Sequence, residues 1–395
     1  MSMDHSDRAV ISTADDAVLA KLSCVEKGYY QDAFIHSMAK GVHVGRNGSS
    51  SMEPIIRKGT HARVCAIDKA ISAFLSLELE DDASGVKGRR QVVMLGAGRD
   101  TTYLRYRFGY LKGFEEKQVD WFEVDHPSVI EQKSKTWLCN CAPDGYNYNS
   151  EMNVATGGSF RASFSNQGER DANDSTYHLI GHDLRSPPSS LFEKLSDPFH
   201  DYDRSIPTIF VMECVIMYLP DDASLNLLRY LASNGAESNL HNQVDTFVAV
   251  ALYDPIPSND RFGQVMLNNL HKRGITGQQT QKDEEQNELL SLERTRTLAD
   301  HLAKLSTSGF DIAVGCHMMD AYDHGVVTIE DRRRAARCEM LDELEEFVLL
   351  MRHYCLCVGV YSSGDRYQSA AAAFCSVGND SPIGFQEGRC TIVHS

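Results

Sequence analysis

The chain has 395 residues with 39 Lys+Arg against 55 Asp+Glu, a formal net charge of −16, and 42% hydrophobic residues. That composition is ordinary for a globular protein, and the acidic balance argues against a nucleic-acid partner, whose phosphates need a cationic surface. No run of about 18 apolar residues exists to cross a membrane, and the N-terminal MSMDHSDRAVIS lacks the apolar core of a secretory signal.

In chain order, Ala14 to Met38 reads as short helical pieces. From His61 to Glu78, Val64, Ile67, Ile71, Phe74 and Leu75 form one apolar stripe at helical spacing. Five short apolar runs follow: Gln91 to Leu95, Val119 to Val124, Tyr177 to Ile180, Thr208 to Met212, and Thr246 to Tyr253. Helical segments separate them, among them His126 to Leu138, Asp221 to Leu231 and Ser258 to Leu270. Such runs, apolar on both faces, are expected of a parallel sheet covered by helices. Leu289 to Leu305 reads as one further helix, and the stripe Met340, Leu341, Leu344, Phe347, Val348 and Met351 as another. Phe310 to Val314 and Tyr354 to Val360 read as two late strands that close the sheet edge, the second being the last. Asn140 to Ser175 and Ser362 to Ser395 are rich in Gly, Ser, Asn and Asp, and mobility is expected in both.

The eleven cysteines are scattered and odd in number, and no C-x-x-C occurs. The pairs Cys139/Cys141 and Cys355/Cys357 lack further ligands nearby, so no metal site is expected, and a reducing cytosol is the simpler reading. The motifs G-x-S-x-G, H-E-x-x-H and G-x-x-x-x-G-K are absent.

Each of the five runs ends in Gly or an acid, and open parallel sheets bind ligands outside the carboxyl ends of their strands. After the first run comes Gly96-Ala97-Gly98, where glycine lets backbone approach a ligand; Thr101 stands where a dinucleotide fingerprint has its third glycine. A smaller nucleoside ligand fits this better than a pyrophosphate-bearing one. Asp125 ends the second run, suited to hold two ribose hydroxyls or to cap the following helix. Asp183, in Gly181-His182-Asp183-Leu184, suits an adenine amine or a capped turn. Glu213 ends an apolar run; a buried carboxylate needs a partner, either a salt bridge or the ammonium of a ligand.

Leu95-Gly96-Ala97-Gly98-Arg99-Asp100-Thr101-Thr102, Phe122-Glu123-Val124-Asp125, Asp183-Leu184-Arg185, Glu213-Cys214-Val215 with Tyr218, Asp260-Arg261-Phe262-Gly263-Gln264 and Met351-Arg352-His353-Tyr354-Cys355-Leu356-Cys357 occur in that order. Together they resemble the leucine carboxyl methyltransferases, from about Asp15 to about Gly359. The resemblance implies an α/β, class I S-adenosylmethionine-dependent methyltransferase fold: a Rossmann-like, mostly parallel sheet with an antiparallel last strand and added N-terminal helices. It implies a helical extension and lid over residues 1–88, a methyltransferase domain over 89–361 with a variable insertion near 140–175, and a mobile tail over 362–395. The implied methyl donor is S-adenosyl-L-methionine, held by Lys21, Arg63, Gly96, Asp125, Asp183, Leu184 and Glu213. The implied acceptor is the C-terminal leucine carboxylate of the protein phosphatase 2A catalytic subunit. No catalytic side chain or metal is expected, because a carboxylate already ionised at neutral pH needs only positioning. The protein is expected to be a cytoplasmic monomer. A methyltransferase of the same fold acting on a small molecule or transfer RNA, and a non-catalytic phosphatase-binding homologue, stay open. The Tyr253-Asp254 strand end departs from the Tyr-Glu expected of the family, and the tail has no counterpart.

Overall fold

In the computed structural model, residues 5–42, 52–79, 88–111, 118–140, 148–153, 159–164, 175–235, 245–273 and 290–395 are described. Among the described residues there are ten strands: β1 (Arg90–Leu95), β2 (Val119–Asp125), β3 (Tyr148–Asn153), β4 (Ser159–Phe164), β5 (Thr176–Gly181), β6 (Thr208–Glu213), β7 (Phe247–Pro255), β8 (Ile312–His317), β9 (Tyr354–Ser362) and β10 (Thr391–His394). They form one sheet in the order β10-β8-β9-β7-β6-β1-β2-β5-β4-β3. The pairs β1–β2, β1–β6, β2–β5 and β6–β7 are parallel. β9 runs antiparallel between β7 and β8. A parallel core with one antiparallel strand inserted before its edge is the class I methyltransferase order.

The strands carry continuous apolar runs because both faces are covered. Successive side chains point to opposite faces, and β1 divides accordingly: Val92 and Met94 enter one core with Ala66, Ala70 and Phe74, whereas Val93 and Leu95 enter the other with Leu191, Leu227, Leu228 and Leu302. The first core lies under the helix Pro54–Leu75; the second lies under the helices Pro188–Leu195, Asp221–Ala232 and Leu298–Thr307.

Several elements differ from the sequence expectation. The N-terminal pieces are a 22-residue helix, His5–Glu26, a turn at Gly28 with φ +85°, and one short helix, Ile35–Met38. The next helix starts at Pro54 rather than His61, with proline in its first turn, where a missing N–H costs nothing. The single helix expected over Leu289 to Leu305 is two, Ser291–Arg294 and Leu298–Thr307. The break is a capping box: Thr297 Oγ1 accepts from Asp300 N at 3.1 Å, and Asp300 Oδ2 accepts from Thr297 N at 2.8 Å. Within the insertion, β3 and β4 form an antiparallel hairpin that extends the sheet beyond β5; residues 141–147, 154–158 and 165–174 lie outside the described ones.

The tail expected to be mobile is packed. Its helix Gln368–Phe374 sets the Phe374 ring 6.4 Å from Phe74, and Ile383 and Phe385 are fully buried. Gly384 has φ +93° and lies so close to the Gly325 carbonyl that a Cβ would sit 2.7 Å from its oxygen. The glycines here form a tight packed turn rather than a linker. β10 then pairs antiparallel with β8, so β9 is not the last strand.

Candidate active site

Between β1 and β6 the strand order reverses, and the carboxyl ends of β1, β2, β5 and β6 open into one cleft of about 1180 Å³. Seven residues proposed from sequence line it: Lys21, Arg63, Gly96, Asp125, Asp183, Leu184 and Glu213. The volume exceeds the roughly 300–1,000 Å³ of a single small-molecule pocket, leaving space for a second substrate.

Gly96 follows β1 with φ +68°, and a Cβ there would meet Val215 Cγ2 at 2.5 Å. Both the backbone and the close approach of the β6 loop require glycine. That loop is itself strained: Cys214 has φ +57°, a region few non-glycine residues adopt, and its N–H donates to the Tyr253 carbonyl at 2.7 Å. The turn carries Val215 under the glycine loop.

Asp125 accepts from Gly98 N through Oδ2 and from His126 N through Oδ1, both at 2.6 Å. The residue braces the glycine loop and lines the cleft, but the helix Pro127–Asn140 is capped by its neighbour, His126 Nδ1 accepting from Ser128 N at 3.3 Å, so Asp125 is not the helix cap. Burial pushes its carboxyl above the ordinary value, and the two backbone donors offset this only in part. A buried carboxylate in that condition has capacity for further donors, which a ribose diol supplies. Next to it, His182 Nε2 is buried without a hydrogen-bond partner, and burial pushes this imidazole down to about 4, so it is neutral. Asp183 turns onto its own loop, accepting from Arg185 N at 3.0 Å and Nε at 2.9 Å. Burial opposes the ionised form, but the Arg185 hydrogen bonds outweigh it and hold the Asp183 carboxyl below its ordinary range.

At the other end of the cleft, four charges from four elements meet. Lys21 Nζ donates to Asp100 Oδ2 at 2.7 Å and to Glu213 Oε2 at 3.0 Å, and Arg63 Nε pairs with Glu213 Oε1. Arg63 also stands over the Tyr253 ring at 5.4 Å, and Tyr253 stacks on Tyr354. Burial alone would lower Lys21, but Asp100 and Glu213 outweigh it and hold the ammonium above its ordinary value. Conversely, burial would raise Glu213, and Arg63 and Lys21 hold it below. All four are therefore charged at neutral pH. Lys21 is 7% exposed, which excludes a solvated helix-face lysine. Asp100, missed as a site residue, was visible only as part of a motif; its pairing with Lys21 spans 79 positions.

The two late motifs also meet. Asp260 caps the helix Arg261–Lys272 by accepting from Gly263 N at 2.8 Å and binds His353 Nε2 at 3.0 Å. A Cβ on Gly263 would collide with the Ser258 carbonyl. This clasp holds Phe262, Met351 and Tyr354 in the cleft wall, so His353 is structural. Among the described residues, no helix is long and apolar enough to cross a membrane.

The family model described as leucine carboxyl methyltransferase matches residues 9–232. The chain is 28% identical to leucine carboxyl methyltransferase 1 of Emericella nidulans over 374 residues, covering 93% of this chain and 88% of that one. It is 30% identical to a homolog of that protein in Arabidopsis thaliana, covering 91% and 92%. It is also 30% identical to leucine carboxyl methyltransferase 1 of Rattus norvegicus, covering 90% and 91%.

Proposed function

Because the chain belongs to the leucine carboxyl methyltransferase family, we propose that it methylates the C-terminal leucine carboxylate of the protein phosphatase 2A catalytic subunit, using S-adenosylmethionine. The observation that carries this reading is the mixed-charge cluster of Lys21, Asp100, Glu213 and Arg63 beside the Gly96–Gly98 turn. The donor is a nucleoside with a zwitterionic amino-acid end. Its ribose matches the incompletely satisfied Asp125 carboxylate, its adenine the Asp183–Leu184 loop, its ammonium Glu213, and its carboxylate Arg63 and Lys21. Guanidinium is the better of the two clamps because its fork binds a carboxylate bidentately.

When bound, S-adenosylmethionine supplies an electrophilic methyl carbon on a sulfonium with a neutral thioether as leaving group. The residues of the chain bind, orient and exclude water. An acceptor carboxylate with pKa near about 3.5 is ionised at neutral pH, so no side chain has to remove a proton. Aligning the two reactants is worth on the order of 7–11 kcal/mol. The helix His5–Glu26 brings Lys21 over the glycine turn and acts as a lid. Val265 and Ile56, 50% and 40% exposed on the cleft walls, give a protein acceptor an apolar rim. The test is a transfer assay with labelled donor, comparing intact phosphatase with one lacking its terminal leucine. Label in the intact protein alone supports the reading. Equal label in both overturns it and favours a different acceptor.

A further inference from the structure

Cys316, on β8, is buried, and Cys390, one residue ahead of β10, is half-buried. In the antiparallel ladder, Ile392 faces Val314 and Thr391 faces Gly315. Continued by one residue, that register sets Cys390 opposite Cys316. Directly opposed residues of an antiparallel pair share a face, with Cα atoms about 4.5–5.5 Å apart. A disulfide spans Cα separations of about 4.4–6.8 Å. Both side chains pack into the same core. The neighbouring thiols do not compete. Cys357 faces Gly315 rather than Cys316, and Cys355 and Cys357 belong to the core on the opposite face of the sheet.

We propose that Cys316 and Cys390 are a modification site: a dithiol that peroxide converts to a reversible disulfide, stapling the C-terminal strand to β8. Cys390 is the attacking group, since it is the more exposed and the adjacent Cys316 thiol holds its thiol below the ordinary value. Its sulfur attacks one oxygen of hydrogen peroxide, the O–O bond breaks, and one water leaves with the thiol's proton, giving the sulfenic acid. Cys316 sulfur then attacks Cys390 sulfur; the S–S bond forms, the S–O bond breaks, and a second water leaves with the Cys316 proton. Two thiols lose two electrons and one peroxide is reduced to two waters. The loop so closed contains β9, whose first residue Tyr354 lines the cleft, and the helix carrying Phe374 against Phe74.

The experiment treats the full-length protein with hydrogen peroxide, digests it without reductant, and identifies linked peptides by mass spectrometry alongside a melting curve. The expected result is a Cys316–Cys390 linked pair, with Tm raised by roughly 3–6 °C for a loop and chain of this length and restored by dithiothreitol. Cys390→Ser should melt like the reduced protein and show neither the link nor the rise. In Cys316→Ala, whose stability is read separately, Cys390 should accumulate as a sulfenic acid trapped by dimedone. A wild-type protein whose Cys390 proceeds to sulfinic acid without linking overturns the proposal, as does a linked pair with unchanged Tm.

Discussion

Glu213→Gln keeps the shape of the side chain and removes the charge that joins Lys21 to Arg63. Lys21 retains Asp100 at 2.7 Å, whereas Arg63 is left with the Tyr253 ring. Removing one partner of a buried ion pair costs about 3–5 kcal/mol. Two features reduce this: the Gln oxygen still accepts one hydrogen bond, worth about 1 kcal/mol, and the Arg63 side chain is 21% exposed. A loss of about 2–3 kcal/mol is therefore expected. Unfolding entropy of about 2.1 cal/mol/K per residue over 395 residues gives roughly 0.8 kcal/mol per degree, so Tm should fall by about 3–4 °C. The donor ammonium loses a charged acceptor as well, about 1.5–3 kcal/mol, or roughly a 10- to 100-fold weaker Kd. Differential scanning calorimetry and isothermal titration with S-adenosylmethionine read the two effects separately. A lowered Tm with unchanged donor Kd would make Glu213 an internal salt-bridge partner and refute its donor role. No change in either would refute the cluster's energetic coupling too.

Asp125→Ala should weaken donor binding by about 1.5–3 kcal/mol, the range for a charged acceptor, with the fold intact by circular dichroism; unchanged affinity would leave Asp125 a brace for the glycine loop alone. Lys21→Met and Arg63→Ala should each raise the donor KM more than they lower kcat, since a carboxylate clamp acts alike before and during transfer; Arg63→Ala should be the larger effect, and a fall in kcat alone would move that residue to the acceptor. Stability should decline as pH falls from about 6.5 towards 4, because burial holds His61, His182 and His200 down to about 4 while the unfolded chain takes up protons near 6.5. Glu123, raised to about 7 chiefly by burial, has the opposite sign, its stabilising share being lost as pH rises through about 7. Three histidines outweigh one carboxyl below pH 6, and chemical denaturation at pH 7 and 5 checks the sign.

The sheet was legible because parallel strands buried on both faces leave unbroken apolar runs, and Gly96, Asp125 and Glu213 stand at their ends, where such sheets bind ligands. Other features rest on partners far away in sequence. Nothing local marks Lys21 as buried; that depends on Asp100 and Glu213 closing over it. Composition misled for the tail, because the glycines that suggest a linker make a turn pressed against Gly325, and the alanine run forms a helix held by Phe374. The break at Thr297 was present as a T-x-x-D capping box, but the apolar spacing on either side masked it. The facing of Cys316 and Cys390 exists only once β10 takes its register on β8.

In the proposed reaction the methyl group ends on the α-carboxylate of the acceptor's last residue. Reaction of the phosphatase with this protein and a deuterated methyl donor, followed by tandem mass spectrometry of the C-terminal peptide, tests it directly. One labelled methyl is expected on the terminal leucine, released by mild alkali as an ester is. A label on an internal aspartate, glutamate or lysine, or one that resists alkali, would contradict it.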